Sequence, residues 1–156
     1  MRLIIPAYFQ ALNKAGKVTD YAVTSNHMYI PIKSKKRGAM LIKKDEVKAW
    51  YELSAWKAKE WVNQTGWQIP PKEMLVIMDI WYFFKDNTHG DAGNYHKALG
   101  DFHHGIVVED DKSLLWRDQD IQIDRENPRI ELDFRVAGLK ILPAKVKKKK
   151  VAKKDE

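Results

Sequence analysis

The 156-residue sequence contains no cysteine. This absence excludes disulfides, cysteine-ligated zinc sites, iron–sulfur clusters and thiol nucleophiles. No apolar run approaches the roughly 18 residues that a membrane-spanning helix needs, so we expect no membrane segment. The amino-terminal stretch is too short and too interrupted for a signal peptide, and we therefore expect a cytoplasmic protein.

Several common catalytic and ligand-binding motifs are also missing. The sequence has no H-x-x-x-H zinc spacing, no G-x-S-x-G motif and no phosphate loop. His103 and His104 are adjacent, so on a helix they point about 100° apart and cannot share a ligand. A calcium loop starting at Asp86 fails, because its sixth position is Asp91 instead of Gly and its twelfth is Lys97 instead of Glu.

Positive charge is concentrated at the carboxyl end. The chain has 28 basic and 21 acidic residues, a net charge of +7. Residues 145–156 carry +5 of this charge, which leaves +2 for the rest. A lysine run without periodicity has nothing to bury, so we expect one domain over 1–144 and a disordered tail over 145–156. Such a tail serves solubility or contacts phosphates without reading sequence.

The apolar spacing predicts an α+β domain, a small mixed β-sheet with helices packed on it. Strands are predicted at 18–24, 74–84, 121–123 and 129–136, helices at 44–63 and 91–103, a lysine-rich turn at 33–38, and a short strand or turn at 106–108. Segment 74–84 is apolar on both faces apart from Asp79, which predicts a central strand covered on both sides. Trp50 and Trp61 belong to the apolar stripe of 44–63 at helical spacing and are predicted to be core, not a base-stacking surface. Residues 1–17 give no clear signal.

Polar residues that carry chemistry cluster in and after the second predicted helix. They are Asp91, Asn94, Lys97, Asp101, Asp110 and Asp111. Asn94, Lys97 and Asp101 share one helical face, and an apolar segment can return the two later acids to the same place. Carboxylates without cysteine suit Mg²⁺ or Mn²⁺, and carboxylates with a lysine suit phosphodiester hydrolysis. A simpler interpretation stays open, namely a helix cap, an ordinary helical ion pair and a turn.

This arrangement resembles the RusA family of Holliday junction resolvases, whose signature is similar to D-x-D-N-x-x-K, then Asp four residues on, then a D-D pair. The matching residues here are Asp91, Asn94, Lys97, Asp101, Asp110 and Asp111. Segments 25–29, 40–50 and 127–131 also resemble family motifs in the expected order, so the resemblance spans roughly 18–136. The chain departs from the signature at Gly93, where the family has its second Asp.

The resemblance implies a homodimeric endonuclease that depends on Mg²⁺ or Mn²⁺ and is often encoded by a phage or prophage. It implies cutting of four-way DNA junctions by paired, symmetric nicks, in DNA recombination and repair. The implied catalytic residues are Asp91, Lys97 and Asp111. The implied metal ligands are Asp91, Asp110 and Asp111, with Asn94 and Asp101 in support. We expect phosphate contacts from the basic residues Lys33, Lys35, Lys36 and Arg37.

Three alternatives stay open. The first is a junction- or branched-DNA-binding protein of the same fold with weak or no cleavage, for which Gly93 is the sequence support. The second is a metal-dependent nuclease that prefers flaps or replication forks. The third is a basic RNA-binding protein of the ribosomal type, whose binding would depend on 145–156 and not on the acidic residues.

Overall fold

The computed structural model describes residues 1–34 and 38–140. The strands are β1 (Leu3–Pro6), β2 (Tyr8–Leu12), β3 (Val18–Ala22), β4 (Tyr29–Ser34), β5 (Gly38–Lys43), β6 (Met74–Phe84), β7 (Leu114–Ile123) and β8 (Arg129–Lys140). The helices are α1 (Ser25–Met28), α2 (Asp45–Thr65) and α3 (His96–His103), with short 3-10 helices at Ala92–Tyr95 and Asp111–Ser113. The predicted tail at 145–156 lies outside the described residues.

A mixed sheet forms the centre of the fold, with the strand order β1-β8-β6-β7. Strand β8 pairs antiparallel with both β1 and β6, whereas β6 and β7 run parallel. The hairpins β2–β3 and β4–β5 form separate two-stranded sheets. A small mixed sheet with helices packed on it confirms the predicted α+β class.

Strand β6 is the middle of the core, and its bounds are those predicted from the sequence. Alternate side chains along it are almost completely buried: Val76, Met78, Ile80, Tyr82 and Phe84. They share one core cluster with side chains of α2 and α3. On the other face, the guanidinium of Arg2 lies 3.5 Å from the centre of the Trp81 ring, and that of Arg129 lies 3.9 Å from the centre of Phe83. The predicted central strand is confirmed, with arginine side chains covering part of its second face.

Helix α2 begins one residue after its predicted start and ends two residues after its predicted end. Gly66 follows it with φ of 68°, the left-handed conformation that commonly ends a helix. Trp50 and Trp61 are buried in the core, which confirms their predicted role. Their indole N–H groups donate to the main-chain oxygens of Pro6 at 2.9 Å and Met1 at 2.7 Å, so α2 anchors the amino-terminal strand. None of the described helices is long and apolar enough to cross a membrane.

Several segments differ from the sequence-based prediction, and one ambiguous segment is resolved. Segment 91–103 is divided into the 3-10 helix Ala92–Tyr95 and α3. Segment 106–108, predicted as a short strand or turn, is a turn whose backbone N–H groups bond back to the preceding helix. Strand β7 extends well beyond the predicted 121–123, and β8 ends four residues after its predicted end. Residues 1–17, which showed no clear pattern, contain two strands.

Candidate active site in the crossover between two parallel strands

The candidate site lies in the connection between β6 and β7. Because these strands run parallel, the chain must cross back along the sheet between them, and residues 85–113 make this crossover through α3. Leu114 pairs with Val76 near the start of β6, and the Ser113 hydroxyl donates to the main-chain oxygen of Lys72 at 3.3 Å. Asp110 and Asp111 therefore stand at the end of the sheet where β6 begins.

An open cleft of about 300 Å³ lies between the end of α3 and this turn. Its lining residues are Gly100, Asp101, His104, Asp110 and Asp111. A Cβ atom on Gly100 would lie 3.1 Å from Cη2 of Trp116 and 3.5 Å from Cβ of Asp111. The glycine thus allows β7 and the acidic turn to approach α3 closely. As a result, Asp111 and Asp101 line the same cleft.

Asp101, which lines this cleft, is the centre of a charged group that we call the Asp101 cluster: Asp101, Lys97, Lys43 and Tyr51. The Lys97 ammonium lies 3.7 Å from one carboxylate oxygen, and that of Lys43 lies 3.4 Å from the other. The Tyr51 hydroxyl donates to Asp101 at 3.0 Å. Burial, followed by the negative charge of Asp101, raises the pKa of Tyr51, so its hydroxyl remains a donor. The predicted Lys97–Asp101 pair is present, but it belongs to a larger unit.

Asp110 starts the short 3-10 helix of the acidic turn. Its carboxylate accepts a hydrogen bond of 3.1 Å from the Lys112 main-chain N–H, and the Lys112 ammonium lies 3.5 Å away. The main-chain bond, with lesser contributions from Asp111 and the ammonium, lowers the pKa of Asp110. Asp110 therefore carries its negative charge at neutral pH. The alternative interpretation of this residue as part of a turn is correct, and the turn faces the cleft.

Asp91 lies at the opposite end of the crossover. The 3-10 helix and α3 separate it from Asp101 by about 15 Å along their axes, and it is not among the residues that line the cleft. Its main-chain oxygen accepts from the Asn94 N–H at 3.1 Å, but its carboxylate makes no capping hydrogen bond. The helix-cap interpretation of its side chain is therefore not supported. A Cβ atom on Gly93 would meet nothing within 4 Å, so this glycine is not required by packing.

The donor set of the cleft suits an open cation site. Among residues 1–34 and 38–140, no three His, Asp or Glu side chains are arranged so that they could hold a metal ion. Mg²⁺, however, commonly uses only one or two protein carboxylates and completes its shell with water and substrate phosphate. Asp110 and Asp111 fit this open arrangement, because both carboxylates line the same cleft.

Comparison with known families agrees with this geometry. A family model described as Endodeoxyribonuclease RusA matches residues 22–135, well over half of the chain. The chain belongs to the RusA family. RusA proteins are endodeoxyribonucleases that act on four-way DNA junctions, so the chain is assigned to this class of enzyme. No curated protein matches the sequence.

The structure divides the RusA signature of this chain into two places. The cleft is lined by Asp101, Asp110 and Asp111, and Lys97 contacts Asp101. Asp91 stands apart from them. Asn94, which is half-buried, and Gly93 belong to the 3-10 helix that precedes α3.

Of the predicted DNA contacts in this RusA chain, only Lys33 falls within a described element, strand β4. Lys35, Lys36 and Arg37 lie outside the described residues. The sequence did not point to Lys43 or Tyr51 as site residues. Lys43 is one of many lysines in its region, and Tyr51 fits the apolar stripe of α2. No sequence pattern therefore marked either of them as a site residue.

Proposed function

We propose that this RusA-family protein resolves four-way DNA junctions by paired, symmetric nicks, with Mg²⁺ or Mn²⁺ as cofactor. The process served would be recombination and repair of branched DNA, in a phage or prophage setting. The observation that supports the proposal is the cleft, which is lined by Asp101, Asp110 and Asp111, with the Lys97 ammonium in contact with Asp101. Acids that hold a cation, beside an ammonium group that binds phosphate, are the groups that phosphodiester hydrolysis requires.

Each residue of the cleft has a distinct proposed role. Asp110 and Asp111 would hold the cation, which when bound lowers the pKa of water and offsets charge on a phosphoryl oxygen. Lys97 would neutralise the charge that develops on the scissile phosphate or the leaving oxygen. Asp101 would orient the Lys97 ammonium, since the two groups lie 3.7 Å apart across one turn of α3.

We also propose that the protein acts as a homodimer. Two sites related by a two-fold axis would match the pseudo-symmetry of a four-way junction, and each would make one of the paired nicks. Asp91, which the family resemblance assigns to metal binding and catalysis, keeps that role as a proposal. Light scattering on the purified protein tests the dimer, because it should report twice the mass of one chain.

The test of the activity is a cleavage assay on a synthetic four-way junction beside linear duplex. Wild type should nick the junction in symmetric pairs with Mg²⁺ or Mn²⁺ and give no product in EDTA. Asp111→Asn should lower the cleavage rate by at least about 100-fold, because it removes a charge at the reacting centre. Asp45→Asn is the matched control, because Asp45 is an exposed acid at the start of α2. Equal cutting of duplex and junction, or full activity of Asp111→Asn, would contradict the proposal.

A second candidate is a protein of this family that binds junctions but cuts them weakly or not at all. The observation that favours it is Gly93, where the family signature has an acid and this chain has open space. This candidate predicts junction binding in EDTA and no products with either cation. Gly93→Asp should then restore cutting, because the added carboxylate meets no obstacle.

A further inference from the structure

A second lysine contacts the Asp101 carboxylate from a distant part of the chain. Lys43 is the last residue of β5, which pairs antiparallel with β4. Its ammonium lies 3.4 Å from the Asp101 carboxylate and 3.8 Å from the centre of the Tyr51 ring. The side chain is about one-third exposed, at 31%, so it is held in place and still open to solvent.

The Asp101 cluster has more positive than negative charge. One carboxylate is shared by the ammonium groups of Lys43 and Lys97, so the cluster carries a net charge of +1. Both N–O distances exceed the 2.7–2.9 Å that is typical of charge-assisted hydrogen bonds. An ammonium group has three donors, and one loose contact with a carboxylate leaves donors for another anion.

Asp101 connects the acidic residues of the cleft with the two lysines. It lines the cleft together with Asp110 and Asp111, and its carboxylate is contacted by the ammonium groups of Lys43 and Lys97. A DNA phosphate that approached the two acids alone would be repelled. An ammonium group beside them offsets that repulsion and orients the phosphate with one edge towards the acids.

We propose that Lys43 is a phosphate-binding residue of the active site, which contacts the junction backbone beside Lys97. The inference rests on the proposed function, since it names a further residue of the same site. It assigns Lys43 a role in DNA binding, whereas a purely structural ion pair with Asp101 would contribute only to folding stability. The cation–π contact of its ammonium group with the Tyr51 ring holds the lysine in place before DNA binds, which lowers the entropy lost on binding.

The deciding measurement is the salt dependence of junction binding in EDTA, where no cleavage occurs. Each phosphate contact contributes about −0.9 to the slope of log K against log salt concentration. Lys43→Met removes the charge and keeps the aliphatic stem that packs on Tyr51, so the slope should become shallower by about one unit. Lys43→Arg should restore the wild-type slope. Melting temperatures of all variants show whether each chain is folded.

Lys59→Met is the matched control. Lys59 is an exposed lysine on α2, about 20 Å along the helix from Lys43. This variant removes the same charge from the protein and should leave the slope and the junction-cutting activity unchanged.

The outcomes separate the inference from the proposed function. A wild-type slope for Lys43→Met, with or without a lower melting temperature, would overturn the role of Lys43 and leave the proposed function standing. A slope that becomes equally shallow in Lys59→Met would also overturn it, because the effect would follow net charge and not position. If wild type shows no salt-dependent binding to junctions, the proposed function fails and the inference fails with it.

Discussion

His103 makes the fold sensitive to acid. It is fully buried near the end of α3, with its ring centre 3.8 Å from that of Phe102 and 5.0 Å from that of Phe134. Among the described residues, neither ring nitrogen has a hydrogen-bond partner. Burial lowers the pKa of His103 to about 3, and the nearby main-chain carbonyl of Leu99, outside hydrogen-bonding geometry, offsets only a smaller part of that effect.

The size of the effect follows from proton linkage. The unfolded chain binds a proton at His103 with a pKa of 6.5, whereas the folded chain does so only near 3. Below pH 6.5 the unfolded state therefore holds more protons, so the free energy of unfolding falls as the pH falls, down to about pH 3. Between pH 7 and pH 5 this loss is about 2 kcal/mol, a large share of the stability of an ordinary domain.

The assay is urea unfolding followed by tryptophan fluorescence at pH 7, 6 and 5. His103→Leu keeps an apolar side chain of similar volume and removes the buried titratable group. Relative to wild type, this variant should gain about 2 kcal/mol of stability at pH 5 beyond any difference at pH 7. His104→Gln is the control, because the His104 ring is exposed and stays hydrated in both states. If wild type and His103→Leu lose equal stability over this range, the buried imidazole is not the acid-sensitive group.

Three further predictions concern the acids of the chain. Gly93→Asp should fold with an unchanged melting temperature, since a side chain there meets open space, and should bind Mg²⁺ more tightly in calorimetry, because it adds a second carboxylate two residues from Asp91. Arg135→Leu should lower the free energy of unfolding by about 2 kcal/mol in urea titrations, because the buried carboxylate of Asp79 loses the guanidinium that lies 3.1 Å away and keeps only the Gln119 amide as a donor. Asp101→Asn should tighten junction binding in EDTA, because the nearby ammonium groups lose their neutralising carboxylate, and should slow cleavage in Mg²⁺. Looser binding in EDTA would refute that account of Asp101.

The sequence predicted best the elements that are buried on regular spacings. Segment 74–84 was predicted with its observed bounds, because an almost uninterrupted apolar run is typical of a central strand. The stripe of α2 was equally clear, since Trp50 and Trp61 recur at helical spacing and both face the core. In these segments the local pattern reports tertiary burial directly.

Strands that are exposed, or that have apolar residues on both faces, were not predicted, and the reason is physical. Strand β7 is at the edge of the sheet, and its middle residues, 117–120, are all polar and exposed, so no apolar period marks it. Strand β1 has the opposite problem. Leu3 and Ile5 are buried, but the exposed residue between them is Ile4, which hides the alternation.

The Asp101 cluster could be predicted only in part. The spacing of Lys97 and Asp101 on one helix already indicates their contact. Lys43 and Tyr51 lie 58 and 50 residues from Asp101 in the chain, and no local pattern connects them to it. Their contact depends on how the hairpin β4–β5 and α2 pack around the crossover, which is a property of the whole fold.

The length of β6 limits how the site can be completed. The crossover returns along a strand of 11 residues, and Asp91 at its beginning does not line the cleft that contains Asp111 at its end. The cleft of one chain therefore offers Asp110 and Asp111 as its adjacent cation ligands, and other donors must fill the coordination shell. If a DNA phosphate is one of these donors, Mg²⁺ raises the affinity of the protein for DNA, and DNA raises the affinity for Mg²⁺ by the same factor. Mg²⁺ should then bind weakly to the free protein and more tightly to its junction complex, and junction binding should strengthen with Mg²⁺ by an equal amount.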